Sequence, residues 1–283
     1  MIIHQIWHDF SSDGSGKDVP KKYKKYVNSW IKHNPGLEYK LWDKESTRVF
    51  IKKKFPWFYK YYVSYPYDIQ RIDVARCFIL YEYGGVYADI DFECLRSFEP
   101  VIKEISDKGS STVINTHPVK SESKSCDYLY FVESPNNYLG KDVILSNALI
   151  VSSRKHPFWR KIFTRFIQKQ DNSAWFNTRH TYIMTSTGPS LISSIFEEYI
   201  DHVRRGSLGI LPHEQFNPIG ICDKCPSSSG GLALKGKRYS IHRNGGTWES
   251  FDSTVIKFIY CNQLVIFVTL ILIILVILYL RRK

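Results

Sequence analysis

Apolar residues at 69, 72, 75, 79 and 83 recur at helical spacing, and Gly84-Gly85 follow them as the positive-φ stop expected after a helix. From Val86 to Asp91 the period changes to two. Val86, Ala88 and Ile90 fall on one face of the predicted strand, and Tyr87, Asp89 and Asp91 on the other. The pattern therefore predicts a helix, a tight turn and a strand carrying two carboxylates on the same side. Upstream, Ile2 to Trp7 reads as a core strand leading into a polar loop, His8 to Lys17, of the kind that forms part of a site. Tyr23, Tyr26, Val27, Trp30 and Ile31 predict a helix from Pro20 to Asn34, stopped at Pro35-Gly36, and Glu38 to Trp42 alternates as a second strand. That is one βαβ unit. Asp43 is placed to cap a further helix through Lys54.

Downstream, Thr112 to Asn115, Tyr128 to Val132 and Ala148 to Ser152 read as strands, with Lys120 to Lys124 as a surface loop. Pro157 to Gln168 is amphipathic, and Thr187-Gly188-Pro189 opens a helix over Ser190 to Arg204, with proline in the first turn. Cys222 to Gly236 reads as a mobile loop and Tyr239 to His242 as a last strand. Alternating strands and helices predict an α/β domain with a largely parallel sheet. Ligands in such sheets sit beyond the carboxyl ends of the strands, where Trp7, Asp91 and Asn115 fall.

The pattern changes once more at the C-terminus. Phe258 to Leu280 has no charged residue, and 23 residues at the helical rise reach about 34 Å against a hydrocarbon core of about 30 Å. The chain divides into a domain over 1–257, a membrane span over 258–280 and a basic tail, 281–283. No basic-then-apolar leader precedes Ile2, which predicts a tail anchor with a cytosolic domain. The positive-inside tendency of Arg281-Arg282-Lys283 predicts the opposite, a domain in a lumen, so the sequence leaves the topology open.

At 283 residues and 43% hydrophobic, the chain is long enough for one large core. The net charge of +12 calls for an anionic partner, a phosphate-bearing substrate or an acidic membrane surface. No recognition motif points to nucleic acid. Of the six cysteines only Cys222 and Cys225 are close in sequence, compatible with free thiols, a loop disulfide or half a zinc site.

Two carboxylates held together need a cation or a shared proton. Mg²⁺ or Mn²⁺, which take one or two carboxylates and leave positions for phosphate oxygens, would serve, whereas two solvated aspartates at a strand end would need neither. Aspartyl-phosphate phosphatases also use D-x-D, but they follow it with a small polar residue where Phe92-Glu93 stands here. A membrane-tethered sugar- or lipid-binding module without catalysis is the third reading.

The segment Ile69-Gln70-Arg71-Ile72-Asp73-Val74-Ala75-Arg76, then Phe78-Ile79-Leu80-Tyr81, then Tyr83 to Asp91 resembles the D-x-D signature of glycosyltransferase family 32. Ile2 to Trp7, Ser146-Asn147-Ala148, His156-Pro157-Phe158, Ser186-Thr187-Gly188-Pro189 and His242 to Trp248 resemble further blocks of that family, in order. Within it the chain looks most like the inositol-phosphorylceramide mannosyltransferases, although it has one apolar segment and has Cys77 where tyrosine is common. The resemblance implies a type-A, Rossmann-like nucleotide-sugar-binding domain, Mn²⁺ (or Mg²⁺) and a retaining hexosyl transfer. It implies GDP-mannose as donor and an inositol-phosphate sphingolipid as acceptor, with UDP-sugars and a glycan or protein acceptor as the alternative, in an endomembrane such as the ER or Golgi.

Carried onto this sequence, the family pattern makes Asp91 the direct metal ligand, places Asp89 nearer the ribose and a metal-bound water, and makes His242 a further ligand. Asp73 and Arg76 would reach hydroxyls of the donor sugar, Trp7 would face the base and Trp248 the diphosphate, with Asn147 against the sugar. Each has an ordinary alternative. Trp7 could be plain core, Asp73 and Arg76 a surface ion pair, His242 no ligand, and Asn147 a loop residue satisfying its own backbone.

Overall fold

The computed structural model describes residues 1–8, 18–108, 127–136, 144–169, 178–199, 208–223 and 238–281. Thr112 to Asn115, Lys120 to Lys124, most of the His8 to Lys17 loop and Cys225 to Gly236 lie outside these residues.

The opening βαβ unit forms as expected. Strand β1 (Ile2–Ile6) leads through α1 (Lys21–His33) to β2 (Glu38–Trp42), which pairs with β1 in parallel. Asp43 caps α2 (Lys44–Lys54) with a reciprocal box: Ser46 N–H donates to Asp43 Oδ1 at 2.6 Å, and Asp43 N–H donates to Ser46 Oγ at 2.9 Å. Helix α3 (Pro56–Ser64), with proline in its first turn, then precedes α4 (Asp68–Tyr83). The turn at Gly84-Gly85 feeds β3 (Gly85–Ala88), parallel to β1.

Further along come β4 (Phe92–Cys94), α5 (Glu99–Lys108), β5 (Leu129–Glu133), β6 (Leu145–Ser152), α6 (Phe158–Gln168), α7 (Arg179–Ser186) and α8 (Pro189–Tyr199). The chain closes with β7 (Leu208–Leu211), α9 (His213–Phe216), β8 (Ser240–His242), α10 (Phe251–Cys261) and α11 (Gln263–Leu280). Six strands form one sheet in the order β2-β1-β3-β6-β5-β7, and β4 and β8 form a separate antiparallel ribbon. The sheet is mixed, which corrects the expectation of a largely parallel one. Strand β6 follows β5 too closely for a crossover helix, so it turns back antiparallel to β5 and lies antiparallel to β3 as well.

Apolar side chains fill both faces of the sheet. Tyr87, Phe131 and Ile150 face a core built with α2, α3, α4, α6 and α8, while Val86, Ala88, Leu149 and Val151 face α1, α5 and α9. Helix α4 is buried almost all round, unlike the one-faced helix its spacing suggests. This is why its polar residues, Asp73 and Arg76, end up inside the protein.

The glycine turn is held from two sides. Gly84 and Gly85 have φ of +66° and +105°, a region that side chains avoid. Buried His4 receives the Trp42 indole N–H on Nδ1 at 3.2 Å, so its Nε2 carries the proton that it donates to the Gly84 carbonyl at 3.0 Å. Burial keeps this imidazole neutral, with its pKa pushed down to about 4. A Cβ at Gly85 would collide with the carbonyl oxygen of Ile2 on the neighbouring strand. Gly85→Ala is expected to cost at least about 2 kcal/mol, read as a fall in urea midpoint at unchanged slope.

The apolar C-terminal segment is two helices. Asn262, at φ −122° and ψ 21°, ends α10, and its side-chain amide donates to the Phe258 carbonyl at 2.8 Å. Helix α11 has no buried residue and a mean hydropathy of 3.1. Its 18 residues rise about 27 Å, still long enough to cross a membrane. Residues 258–261 belong to α10, whose Cys261 is tied by a disulfide to Cys222 of the domain. Of the alternatives open for Cys222, a free thiol, a loop disulfide or half a zinc site, the structure shows a disulfide, made with Cys261.

Candidate active site

Strands β1 and β3 run side by side in the same direction, so the residues that leave their carboxyl ends meet at one edge of the sheet. Trp7 leaves β1 there and Asp89 to Asp91 leave β3. Helix α4 returns along β3 from the glycine turn. Eight helical residues from Gly84 back to Arg76 rise about 12 Å, and four strand residues from Gly85 to Asp89 about 13 Å, so Arg76 stands level with Asp89. Ser146, Asn147 and Ala148 reach the same place at the start of antiparallel β6, and Asp89 N–H donates to the Ala148 carbonyl at 2.8 Å.

The strand does not continue to Asp91. It ends at Ala88, and Asp89 to Phe92 form a turn closed by Phe92 N–H donating to the Asp89 carbonyl at 2.9 Å. Gln5 Nε2 also donates to that carbonyl, at 3.0 Å. The two carboxylates are thus brought together by a turn rather than by alternation. The turn sends the chain into β4, whose Phe92 pairs in register with His242 of β8. His242 stacks on Phe92 with centroids 4.6 Å apart, and its Nε2 lies 3.1 Å from Asp91 Oδ1.

Asp91 is 8% exposed. Its Oδ2 accepts the Gly245 N–H at 2.6 Å, and its backbone carbonyl accepts from Arg243 N–H at 3.0 Å. Burial alone would raise the carboxyl, but His242 and the Gly245 N–H outweigh it and hold it near 2. The imidazole is shifted upward: burial disfavours its charge, but the Asp91 and Asp89 carboxylates prevail. Gly245 must be glycine for this contact, since a Cβ would lie 3.0 Å from Asp91 Oδ2 and against the Tyr23 hydroxyl.

Asp73 and Arg76 are 4% and 1% exposed, which rules out a surface ion pair. Arg76 Nη2 lies 3.1 Å from Asp73 Oδ1, Arg76 Nη1 lies 3.1 Å from Asp89 Oδ1, and Nη1 also donates to the Asn147 carbonyl at 2.7 Å. The guanidinium rests 4.7 Å above the Tyr87 ring, whose hydroxyl donates to Asp89 Oδ1 at 2.7 Å. Burial raises the Tyr87 hydroxyl well above its ordinary value, which keeps it a donor. Asp89 is raised by burial and by Asp91, against the pull of Arg76.

Burial pushes Asp73 up to about 7, opposed by Arg76. Yet three donors converge on it: Arg76, Asn147 Nδ2 at 2.9 Å and the Thr187 hydroxyl at 3.0 Å. Arg76 and the Asn147 amide are oriented as donors, and the Thr187 hydroxyl can serve as donor or acceptor, so the contacts support the ionised carboxylate while Arg76 lies beside it. The Asn147 side-chain amide, expected against a sugar or satisfying its own loop, thus holds Asp73.

Asp73, Arg76, Asp89, Asp91, Asn147 and His242 line one cleft of about 230 Å³, together with Trp7, Trp248, His180 and Tyr23. Trp7 is 7% exposed and tilts against Tyr23, so it is mostly core with an edge at the cleft. Trp248 stands at the lip, stacked on His180 with centroids 5.4 Å apart. Asp73, Arg76, Asp89, Asp91, Asn147, His242, Trp7 and Trp248 are therefore all brought to one place. Thr187, Tyr87 and Gly245 were missed as site residues. Tyr87 carried a signal, since it shares its strand face with Asp89; the other two are placed only by tertiary contacts.

One oxygen each of Asp89 and Asp91 and one nitrogen of His242 lie within 4.8 Å of one another. Two carboxylates and an imidazole suit Mn²⁺. The donor set fits such an ion.

Residues 20–107 match the family described as a glycosyltransferase sugar-binding region containing the DXD motif. Inositol phosphoceramide mannosyltransferase 1 of Schizosaccharomyces pombe is 27% identical over 269 residues, covering 93% of this chain and 66% of that protein. Inositol phosphoceramide mannosyltransferase 3 of the same yeast is 45% identical over 101 residues, 36% of this chain and 26% of that protein. Among solved structures, the PaToxG glycosyltransferase is similar at a TM-score of 0.46 and 15% identity, over 71% of this chain and 69% of that one. The chain thus spans between about a quarter and about two thirds of the length of these two yeast relatives.

Proposed function

We propose that this glycosyltransferase, whose residues 20–107 form a sugar-binding region with the DXD motif, moves mannose from GDP-mannose to an inositol-phosphate lipid with retention of configuration. The observation that carries the reading is the Asp89, Asp91 and His242 cluster beside the buried Asp73–Arg76 pair in one cleft. The similarity to inositol phosphoceramide mannosyltransferases supports the choice of sugar and acceptor.

Asp91, Asp89 and His242 would hold Mn²⁺ or Mg²⁺, which when bound supplies Lewis-acid stabilisation of the leaving diphosphate. The chain's own groups do the rest. Arg76 and the Tyr87 hydroxyl fix Asp89 from behind, so that this part-buried carboxylate keeps its place. Asp73, held by three donors with the buried Thr187 behind it, forms with Asn147 a rigid wall of the cleft against the donor sugar. Rigid placement of this kind is where transferases gain most of their rate. Asp73, Asp89 and Asp91 are all committed to donors or to the cation, which leaves none of them as a covalent nucleophile. Attack by the acceptor hydroxyl from the face the leaving group vacates is the reading we adopt.

Placement in the membrane follows from two features. Helix α11 would cross it once, and the Cys222–Cys261 bond favours an oxidising compartment. Together they support a domain on the luminal side of the ER or Golgi and Arg281-Arg282-Lys283 on the cytoplasmic side, in line with the positive-inside tendency. The full chain in detergent with Mn²⁺ is expected to transfer radiolabel from GDP-mannose to inositol-phosphorylceramide and not to ceramide alone. Transfer only from UDP-sugars, or only to soluble glycans, would overturn the assignment of donor or acceptor.

A further inference from the structure

Helix α10 carries an apolar face that nothing in the described domain covers. Phe251 is 84% exposed, Phe258 62%, Ile259 50% and Val255 38%, and these four positions fall within one stripe about 100° wide on the helix. The opposite face is anchored to the domain. Ser253, 2% exposed, meets His180 Nδ1 at 3.0 Å, and Asp252 accepts the His180 backbone N–H at 2.7 Å.

Both ends of α10 touch the rim of the cleft. At the N-terminal end, Ser250 follows directly on Trp248-Glu249, and Trp248 stacks on His180. At the other end Cys261 is bonded to Cys222, the neighbour of Ile221, which lines the cleft on another side. The helix is therefore tied at both ends to segments that line the site, with its bare apolar face exposed.

One residue later, at Asn262, the chain turns into α11. The end of α10 must then lie where α11 enters the bilayer, if α11 spans it. We infer that α10 is an interfacial helix: its Phe251, Val255, Phe258 and Ile259 face lies in the headgroup–acyl boundary and holds the mouth of the cleft against the lipid surface. This rests on the reading of α11 as a membrane span. Continuity identifies the occupant: a helix joined by one residue to an apolar span, and bare along an apolar stripe, is covered by the same lipid that covers the span. The anchoring on both sides of the mouth gives the arrangement its consequence, because the site then faces molecules embedded in that leaflet rather than those in bulk solution.

The test uses the full chain in phosphatidylcholine vesicles, with unbrominated or acyl-brominated lipid. Tryptophan is introduced one position at a time in Phe251→Trp, Phe258→Trp and, inside α11, Leu272→Trp, and each is read as the difference from the parent chain. The expected result is added quenching by brominated lipid at all three positions, strongest at 272. Quenching at 272 with none at 251 or 258 would overturn the inference while leaving the span intact. No added quenching at any position would overturn both the inference and the span beneath it. If 251 and 258 are shielded from lipid in a dimer that Phe258→Asp dissociates, the face is a surface for a second copy and the inference fails.

Discussion

Asp91→Asn is expected to lower donor turnover by a factor of about 10² to 10³ at saturating Mn²⁺, the scale set by losing one group that stabilises transition-state charge. The fold should survive. The asparagine oxygen still accepts the Gly245 N–H now bound at 2.6 Å, and its amide still faces His242 Nε2, where the contact is 3.1 Å. What disappears is the negative charge. Asp89 remains, but it is shared with Arg76 and Tyr87, so it does not replace Asp91 as the principal oxygen ligand. Metal titration should therefore show much weaker Mn²⁺ binding in Asp91→Asn, with circular dichroism and melting close to the parent. Parent-like activity in a folded Asp91→Asn protein would remove Asp91 from the metal site.

Arg76→Ala should act on stability as much as on activity. Arg76 is 1% exposed and neutralises Asp73 and Asp89 at once, both at 3.1 Å. Its loss leaves two carboxylates in the interior without a cation, at a cost of about 3–5 kcal/mol. The space left over the Tyr87 ring adds to this. A fall in urea midpoint of corresponding size checks the prediction. Arg76→Lys keeps a charge in place but not the planar fork that reaches Asp73, Asp89 and the Asn147 carbonyl together. It should recover part of the stability and little of the turnover. Parent-like stability of Arg76→Ala would mean that Asp73 is neutral in the folded protein.

Several of these relations were legible before any coordinates. The apolar spacing of α4, its glycine stop and the alternation of β3 placed a helix end, a turn and two aspartates together, and the opening βαβ unit put Trp7 at the same edge. Each rests on local rules that tertiary contacts here reinforce. The failures share a different cause. Asp89 is a residue favoured at the first position of a turn, but the apolar–polar alternation runs on through Ile90 and masks it; the break after Ala88 is stabilised by Gln5 and by the pairing of β4 with β8. Burial of Asp73 and Arg76 follows from helices packing around α4, which no spacing within α4 encodes. Cys222 and Cys261 are 39 residues apart, and their pairing depends on where α10 lies. Asn262 and Gln263, adjacent polar residues in a largely apolar stretch, are the legible sign that the run divides.

Thr187 shows the limit most directly. Its neighbours Gly188 and Pro189 announce a helix start, and that start is observed. That its hydroxyl turns back to a carboxylate 114 residues away is a property of the fold alone.

The most direct test of the central claim, that this cleft uses a nucleotide-sugar through a cation held by Asp91, is release of nucleoside diphosphate by the full chain. It would be measured across GDP- and UDP-sugars, after chelation and after Mn²⁺ is restored, beside Asp91→Asn. Release from GDP-mannose that disappears on chelation, returns with Mn²⁺ and falls about 10²- to 10³-fold in the variant is the predicted result. Release that is indifferent to the metal and to Asp91, or a folded protein that neither turns over any donor nor gains thermal stability from any nucleotide, would contradict it.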